Sequence, residues 1–260
     1  MLGTRQAGAA IEGALRQEVV DELKRVSVDT HGYTDFAMAL AALLGFELCP
    51  RLCHLKDRRL HVPNNIIGPP SLSGVVRRDV DTLRIDPQWH NLVHLTASVH
   101  SGHASAVSVL NRFGDHVRGD PLYQAGRRLG QLHRSAFLCS YLSNRAYRRE
   151  IHRELALGES YHILQRALYR GGITAVRGRR DEELNAISGA LTLLTNIVLA
   201  WNTSQMDAIN RRWRIEGRDI TTETQRHIGP AHIRHINFRG TFNFENVGTD
   251  ERLISNLTVN

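Results

Sequence analysis

Two acidic residues 130 positions apart carry the chemistry this chain suggests: Asp29 in V-D-T-H-G-Y-T-D and Glu159 in L-A-L-G-E-S-Y-H-I-L-Q-R. Asp29 closes the short β-branched run Val26-Ser27-Val28 and is followed by a Gly turn. Glu159 follows Gly158, a position from which it is expected to open a helix. Two-metal phosphoryl transfer uses carboxylates to hold two Mg²⁺ ions about 3.5–4 Å apart. One ion activates the attacking water or 3′-hydroxyl, and the other stabilises the leaving oxygen. Mg²⁺ takes hard oxygen ligands in near-octahedral geometry, which favours Asp and Glu over Cys or His. A carboxylate at a strand end is fixed by its sheet. One in the first turn of a helix is kept ionised by the unpaired N–H groups there. On the helix of Glu159, His162 (i+3) and Arg166 (i+7) share its face and could meet a DNA phosphate, while Ile163, Leu164, Ala167 and Leu168 lie towards the other side. Spacing alone leaves a plainer reading open. Glu159 could serve only the helix dipole, beside two solvated basic residues, and Asp29 could be an Asx-turn residue ahead of Gly32.

The elements that must position these groups are mostly helical. Ile11, Leu15, Val19 and Leu23 recur at i+4 and predict a helix over Ala9–Arg25. A strand at 26–28 leads into Asp29. Thr34 is an N-cap candidate for a helix over Asp35–Leu44, which Gly45 stops. Phe46–Leu48 reads as a second strand. Residues 54–85 read as irregular, punctuated by Pro63, Gly68, Pro69, Pro70 and Gly74. Asp86-Pro87 and Asp120-Pro121 each predict the start of a long helical stretch, the first broken near Gly102 and the second reaching about Leu142. Asn144 is a cap candidate for a helix over Arg145–Leu155. A further helix is expected from Glu159 to about Arg170, a long one over Arg180–Arg214, and a turn or two near Thr222–His227. A strand near the tail is a weaker expectation.

Bulk properties narrow the classes. At 260 residues the chain suits one large domain. Apolar content of 42% with 23% charged residues argues against a disordered polymer. The longest apolar stretch, Gly189–Trp201, covers 13 residues against the roughly 20 a bilayer span needs. With no signal-like N-terminus, a cytoplasmic protein without a membrane partner is expected. The net charge is +7, and all basic residues but Lys24 and Lys56 are Arg. Arg suits phosphate, although a GC-rich genome produces the same bias. Cys49, Cys53, His54 and the separate Cys139 do not supply a recognisable set of zinc ligands.

Six ordered elements resemble the catalytic end of the Tn-three family of replicative transposases. Asp29-Thr-His-Gly-Tyr-Thr-Asp35 is similar to that family's D-T-x-G-[FY]-[ST]-[DE], and is preceded by I-E-G-A-L. Downstream come A-L-L-G-F-E-L-C-P-R-L, R-R-L-G-Q-L-H-R, L-x-x-G-E-S-x-H-x-L-x-R at Glu159, N-I-V-L-A-W-N-T at 196–203 and I-G-P-x-x-x-x-H-I-N-F at 228–238. Residues 245–260 match none of these elements. The resemblance implies a mainly α chain with a small partial β-sheet: an RNase H-like (retroviral-integrase) fold with a large helical insertion at about 86–157. It implies that Asp29 is the second Asp and Glu159 the Glu of a D-D-E triad that binds Mg²⁺. It also implies DNA, both transposon ends and target, as the partner.

The family's first Asp lies in an S-x-D-G-x-R-F element upstream of the first helix. Because this chain begins at Met1 just before that helix, the first strands and their Asp are expected to be missing, leaving an incomplete, truncated or split enzyme. Tyr161 and His100 stand where the family often has Arg and Lys. The expected function is DNA cleavage and strand transfer in transposition, with a homo-oligomer or the missing N-terminal segment as protein partner. The alternative is an inactive DNA-binding or regulatory fragment that engages an intact transposase.

Overall fold

The computed structural model describes residues 2–17, 22–113, 117–170, 181–218, 221, 224–225 and 228–234. Among them are seven helices and four strands: α1 (Leu2–Leu15), β1 (Arg25–Val28), α2 (Asp35–Leu43), β2 (Glu47–Pro50), β3 (Leu60–Pro63), β4 (Val76–Val80), α3 (Trp89–His100), α4 (Ala106–Arg112), α5 (Pro121–Ser143), α6 (Arg145–Arg170) and α7 (Asp181–Ile215). The chain divides into two units, Met1–Ala156 and Leu157–Asn260.

The first unit is organised by the β1–α2–β2 segment. β1 and β2 are parallel, in the register Arg25↔Glu47 to Val28↔Pro50. Parallel strands need a crossover, and α2 supplies it. Thr34 caps α2 by accepting the N–H of Ala37 at 3.1 Å, and Gly45 ends it at φ +94°, a conformation glycine adopts without Cβ strain. Six consecutive residues of α2, Phe36–Ala41, are buried, so this helix is surrounded rather than amphipathic.

The helix starts read from Asp-Pro pairs hold with one adjustment. Asp120 caps α5 by accepting the N–H of Tyr123 at 3.0 Å, whereas Asp86-Pro87 forms a single 3₁₀ turn ahead of α3. Gly102, at φ +77°, breaks α3 from α4 as expected. Asn144 accepts the N–H of Tyr147 at 3.0 Å at the start of α6.

Three expectations change. The first helix lies earlier than periodicity suggested. Ala7, Ile11 and Ala14 form its buried stripe, while Leu23 packs on the core from outside the helix. Small residues explain the shift, because a Cβ at Gly8 would stand 2.7 Å from the Cα of Val107, so α4 rests directly on the backbone of α1. The region 54–85 is not wholly irregular. β3 and β4 pair in parallel as a second two-stranded sheet with a register irregularity between His61 and Pro63. The β3 backbone is also held from outside its sheet, since the N–H of His61 donates to the Ser135 hydroxyl on α5 at 2.7 Å.

The third change concerns Glu159, which does not open a helix. Helix α6 is continuous from Arg145 to Arg170. An interior glycine costs about 1 kcal/mol relative to Ala, too little to stop a run this rich in Arg, Glu, Leu and Ala, and Gly158 is not among the glycines with positive φ.

In the second unit α7 runs through the apolar stretch 189–201, near the bounds expected of it. Its Asn202 side chain donates to the carbonyls of Pro230 and His232, the latter at 2.9 Å. Over Glu182–Ile215 this helix is long and apolar enough to cross a membrane by length and composition, with a mean hydropathy of 1.5 in its most apolar window. A sequence count confined to residues 189–201 misses this, because Ala, Ile and Leu on either side extend the stretch. Core helices of soluble proteins can be as long and apolar but are mostly buried, whereas only 6% of this stretch is. Leu193, Ile197 and Trp201 are exposed on it. Thr224 and Gln225 are helical within the turn expected near the tail, and the expected tail strand lies outside the described residues.

Candidate functional site

β1 delivers Asp29 to the first unit's candidate site. Val28 is the last core residue of the strand, and the chain turns at once, the Gly32 N–H donating to the Asp29 carbonyl at 2.8 Å. A Cβ at Gly32 would lie 2.8 Å from that of Val28, so the turn needs glycine for room. One carboxylate oxygen of Asp29 accepts the N–H of Thr30 at 2.7 Å. Asp29 is therefore a turn residue, as the plainer reading held, and its exposed carboxylate still has oxygen lone pairs for a cation.

Behind Asp29 stands an ion-pair network that sequence reading did not single out. Arg25 lies 2.6 Å from Glu150 and 2.7 Å from Glu154 on α6. The Ser27 hydroxyl donates to the second oxygen of Glu154. Hydrogen bonds to Glu150 and Glu154 push the Arg25 guanidinium up, and the bond to Arg25 holds the Glu150 carboxyl down. The strand that ends in Asp29 is thus tied to α6 by charge-assisted bonds.

A second cluster joins the turn after Asp29 to α5. Asp35, in the first turn of α2, meets Arg134 at 2.5 Å and Arg127 at 3.8 Å. Burial pushes the Asp35 carboxyl up, and the two guanidiniums oppose that shift. Arg58 donates to the Tyr33 hydroxyl at 2.7 Å and to the Cys53 carbonyl at 3.0 Å. With Arg118 these groups line a cavity of about 630 Å³ that begins at Thr30 and His31. Periodicity carries no signal for this convergence, because Arg is everywhere in the chain.

Cys49 and Tyr147 form a third, structural contact in the same unit. The Tyr147 hydroxyl donates to Glu47 at 2.7 Å and touches the Cys49 sulfur at 3.2 Å. Burial pushes the Cys49 thiol up to about 12, which keeps it an unreactive core group.

In the second unit Glu159 is exposed in the interior of α6, so the dipole of a helix N-terminus does not act on it. Its carboxylate pairs with Arg166, one of its expected face partners, at 2.9 Å. Both side chains are more than half exposed, so the pair is worth about 0–1 kcal/mol and gives way readily to a stronger partner. His162 is exposed and lies edge-on to Tyr161. Leu164 and Ala167 pack as expected, but Ile163 is 48% exposed.

The donor chemistry of Asp29 and Glu159 fits Mg²⁺, because each offers hard carboxylate oxygen. Their number does not complete a site: among the described residues no group of three or more His, Cys, Asp or Glu is placed to hold a metal ion.

A parallel βαβ segment with an acidic turn after its first strand precedes a long helical region that carries a second acid. Residues 1–242 match the family model of the Tn3 transposase DDE domain, and the chain belongs to that family. It is 49% identical over 244 residues to the transposase for insertion sequence element IS1071 in transposon Tn5271 of Comamonas testosteroni, covering 94% of this chain and 25% of that protein. It is 27% identical to the transposase for transposon Tn501 of Pseudomonas aeruginosa, over 93% of this chain and 24% of that protein. The transposase for transposon Tn1546 of Enterococcus faecium is 28% identical over the same shares. The chain thus spans about a quarter of the length of the relatives it matches.

Proposed function

We propose that this chain contributes two of the three acidic groups of an RNase H-like transposase centre that cleaves DNA and transfers its strands. The match of residues 1–242 to the DDE domain carries this reading, and the delivery of Asp29 by a parallel strand supports it. Asp29 and Glu159 would hold divalent metal, Mg²⁺ by the chemistry of their oxygens. When bound, that metal supplies charge stabilisation and activates the attacking hydroxyl. A third carboxylate would complete the set, and among the described residues none is placed with these two.

The chain's own residues do the rest. Gly32 and the Thr30 N–H orient Asp29. The Arg25–Glu154 contact holds the strand behind it. Arg166 neutralises the Glu159 carboxylate at rest, and were Glu159 to hold metal it would be free to contact a DNA phosphate. His162 lies on the same face to contact the same backbone. The partner is DNA, transposon ends and target, and the setting is the cytoplasm.

The test is strand transfer on transposon-end DNA with Mg²⁺, using the chain alone and then with the upstream segment of the transposase added. Activity that appears only with the segment, and is lost in Glu159→Ala and in Asp29→Ala, is expected. Activity of the mixture that survives both substitutions overturns the assignment.

A further inference from the structure

Among the described residues, the cavity beside Asp29 is lined by more cationic than anionic side chains. Of its described lining residues Arg58, Arg127 and Arg134 are cationic, as is Arg118, which is already engaged by another group, and Asp35 is the one carboxylate among them. That carboxylate is engaged by Arg134 and by a hydrogen bond from Gln131, while Arg127 stands 3.8 Å away and is 53% exposed. Arg58 is held by neutral acceptors, the Cys53 carbonyl, the Cys53 sulfur and the Tyr33 hydroxyl. A guanidinium has five N–H donors in a rigid fork, and these three bonds leave one N–H on each terminal nitrogen unused. The Tyr33 oxygen accepts from Arg58, so its own hydrogen is left for another acceptor. An occupant of this cavity must therefore be anionic, rich in acceptor oxygens and able to take a fork of donors. Phosphate meets all three requirements.

The floor gives the cavity its rigidity. Phe36, Phe113 and Tyr123 stack beneath it, the first two with ring centroids 4.7 Å apart, and all three are buried. Arg127 and Arg134 project from α5, which is locked on α2 by backbone contact at Gly130. The cation positions are thus set by packed elements and not by a loose surface, the condition for recognition without reorganisation.

We propose that this cavity receives a backbone phosphate of the DNA strand that runs past Asp29, gripped by Arg58 and Arg127, with Arg134 held in place by Asp35. The proposal rests on the DNA-processing role given above and adds the place where the strand is held. A volume of about 630 Å³ admits about one nucleotide's backbone and excludes a duplex, so the strand enters by its edge.

The experiment uses the full 260-residue chain. Phenylglyoxal modification of arginines is mapped by mass spectrometry with no ligand, with a 20-base-pair duplex, and with inorganic phosphate at the same phosphate concentration. The duplex is expected to protect Arg58 and Arg127, and inorganic phosphate to protect neither. In parallel, duplex affinity is measured against salt for the wild type and for Arg58→Gln/Arg127→Gln. The slope of log K against log salt is expected to fall by about 2 in the variant, one per phosphate-contacting cation removed. A duplex that binds while leaving both arginines as reactive as before overturns the cavity assignment and leaves the DNA reading standing. Equal protection by inorganic phosphate makes this a small-anion site and overturns the strand proposal. A duplex that does not bind at all overturns both. Because protection is read on the wild type, the outcome does not depend on the variant folding.

Discussion

Gly130 is expected to be the least replaceable small residue in the first unit. A Cβ there would lie 1.5 Å from the carbonyl oxygen of Asp35, 2.4 Å from its carbon and 3.1 Å from its Cα. Non-bonded carbon contacts are normally about 3.5–4.0 Å, so α2 would have to retreat by roughly 2 Å. The obstacle is backbone, which has no rotamer to escape into. Overpacking of this kind costs about 1–3 kcal/mol and occasionally more. Against it stands a gain of about 1 kcal/mol from replacing an interior helical glycine with alanine. Taking the upper end of the cost, Gly130→Ala should lose about 2 kcal/mol net, which for a chain of this size lowers Tm by about 4–8 °C. The matched control is Gly13→Ala in α1, where a Cβ meets nothing within 4 Å. It should raise stability by about 0.5–1 kcal/mol. The assay is thermal unfolding followed by circular dichroism, with wild type and both variants in one buffer. A Gly130→Ala protein that melts at or above the wild type refutes the close crossing of α2 and α5.

Further outcomes follow from other contacts. Arg25→Met removes the shared partner of Glu150 and Glu154, whose side chains are 42% and 33% exposed; a loss of about 1–2 kcal/mol in chemical denaturation is expected, discounted for that exposure. Glu12 accepts from the Ser105 hydroxyl and, at 3.4 Å, from the N–H of Val107, and those bonds hold its carboxyl below its usual range. A depressed folded value means stability that is present above the unfolded value of 4.5 and is lost as pH falls through the folded one. The melting temperature should thus decline with acid below about pH 4.5 in the wild type and less steeply in Glu12→Gln. Arg166→Ala frees Glu159 from its resting partner, so Mg²⁺ titration in the presence of the upstream segment should saturate at lower metal, while the salt slope of DNA binding falls by about 1.

Local chemistry in the sequence located most helices, and non-local pairing hid the rest. Thr34, Gly45, Asp120-Pro121 and Asn144 act through hydrogen bonds or φ values within a few residues, so the chain itself announces them. Strands β3 and β4 announce little. Pro63 ends one, and their pairing is completed by Ser135, 74 residues beyond His61. Gly158 misled because its cost is small beside the helical preference of its neighbours, and the fate of such a glycine depends on the flanking run. The place of Asp29 just past β1 and the pairing of Glu159 with Arg166 were legible from the β-branched run and from helical spacing. The Arg58, Arg127 and Arg134 cluster was not, because those residues converge through the α2–α5 crossing and not through any spacing of their own.

The burial of α2 has a consequence for synthesis of the chain. Its Phe36–Ala41 run is covered largely by α5, and the Asp35–Arg134 contact that accompanies this closes a separation of 99 residues. Closing so long a loop adds little equilibrium cost, since each doubling of length adds only about 0.6 kcal/mol. Timing is another matter. At about 5–20 residues per second, the interval between completing α2 and completing α5 is roughly 5–20 seconds. During it the nascent chain carries a helix with apolar groups on nearly every side, packed on β2, α1 and α3 but still without its largest partner. A ribosomal pause before Pro121 should therefore promote aggregation or chaperone capture, and the same pause after Ser143 should not.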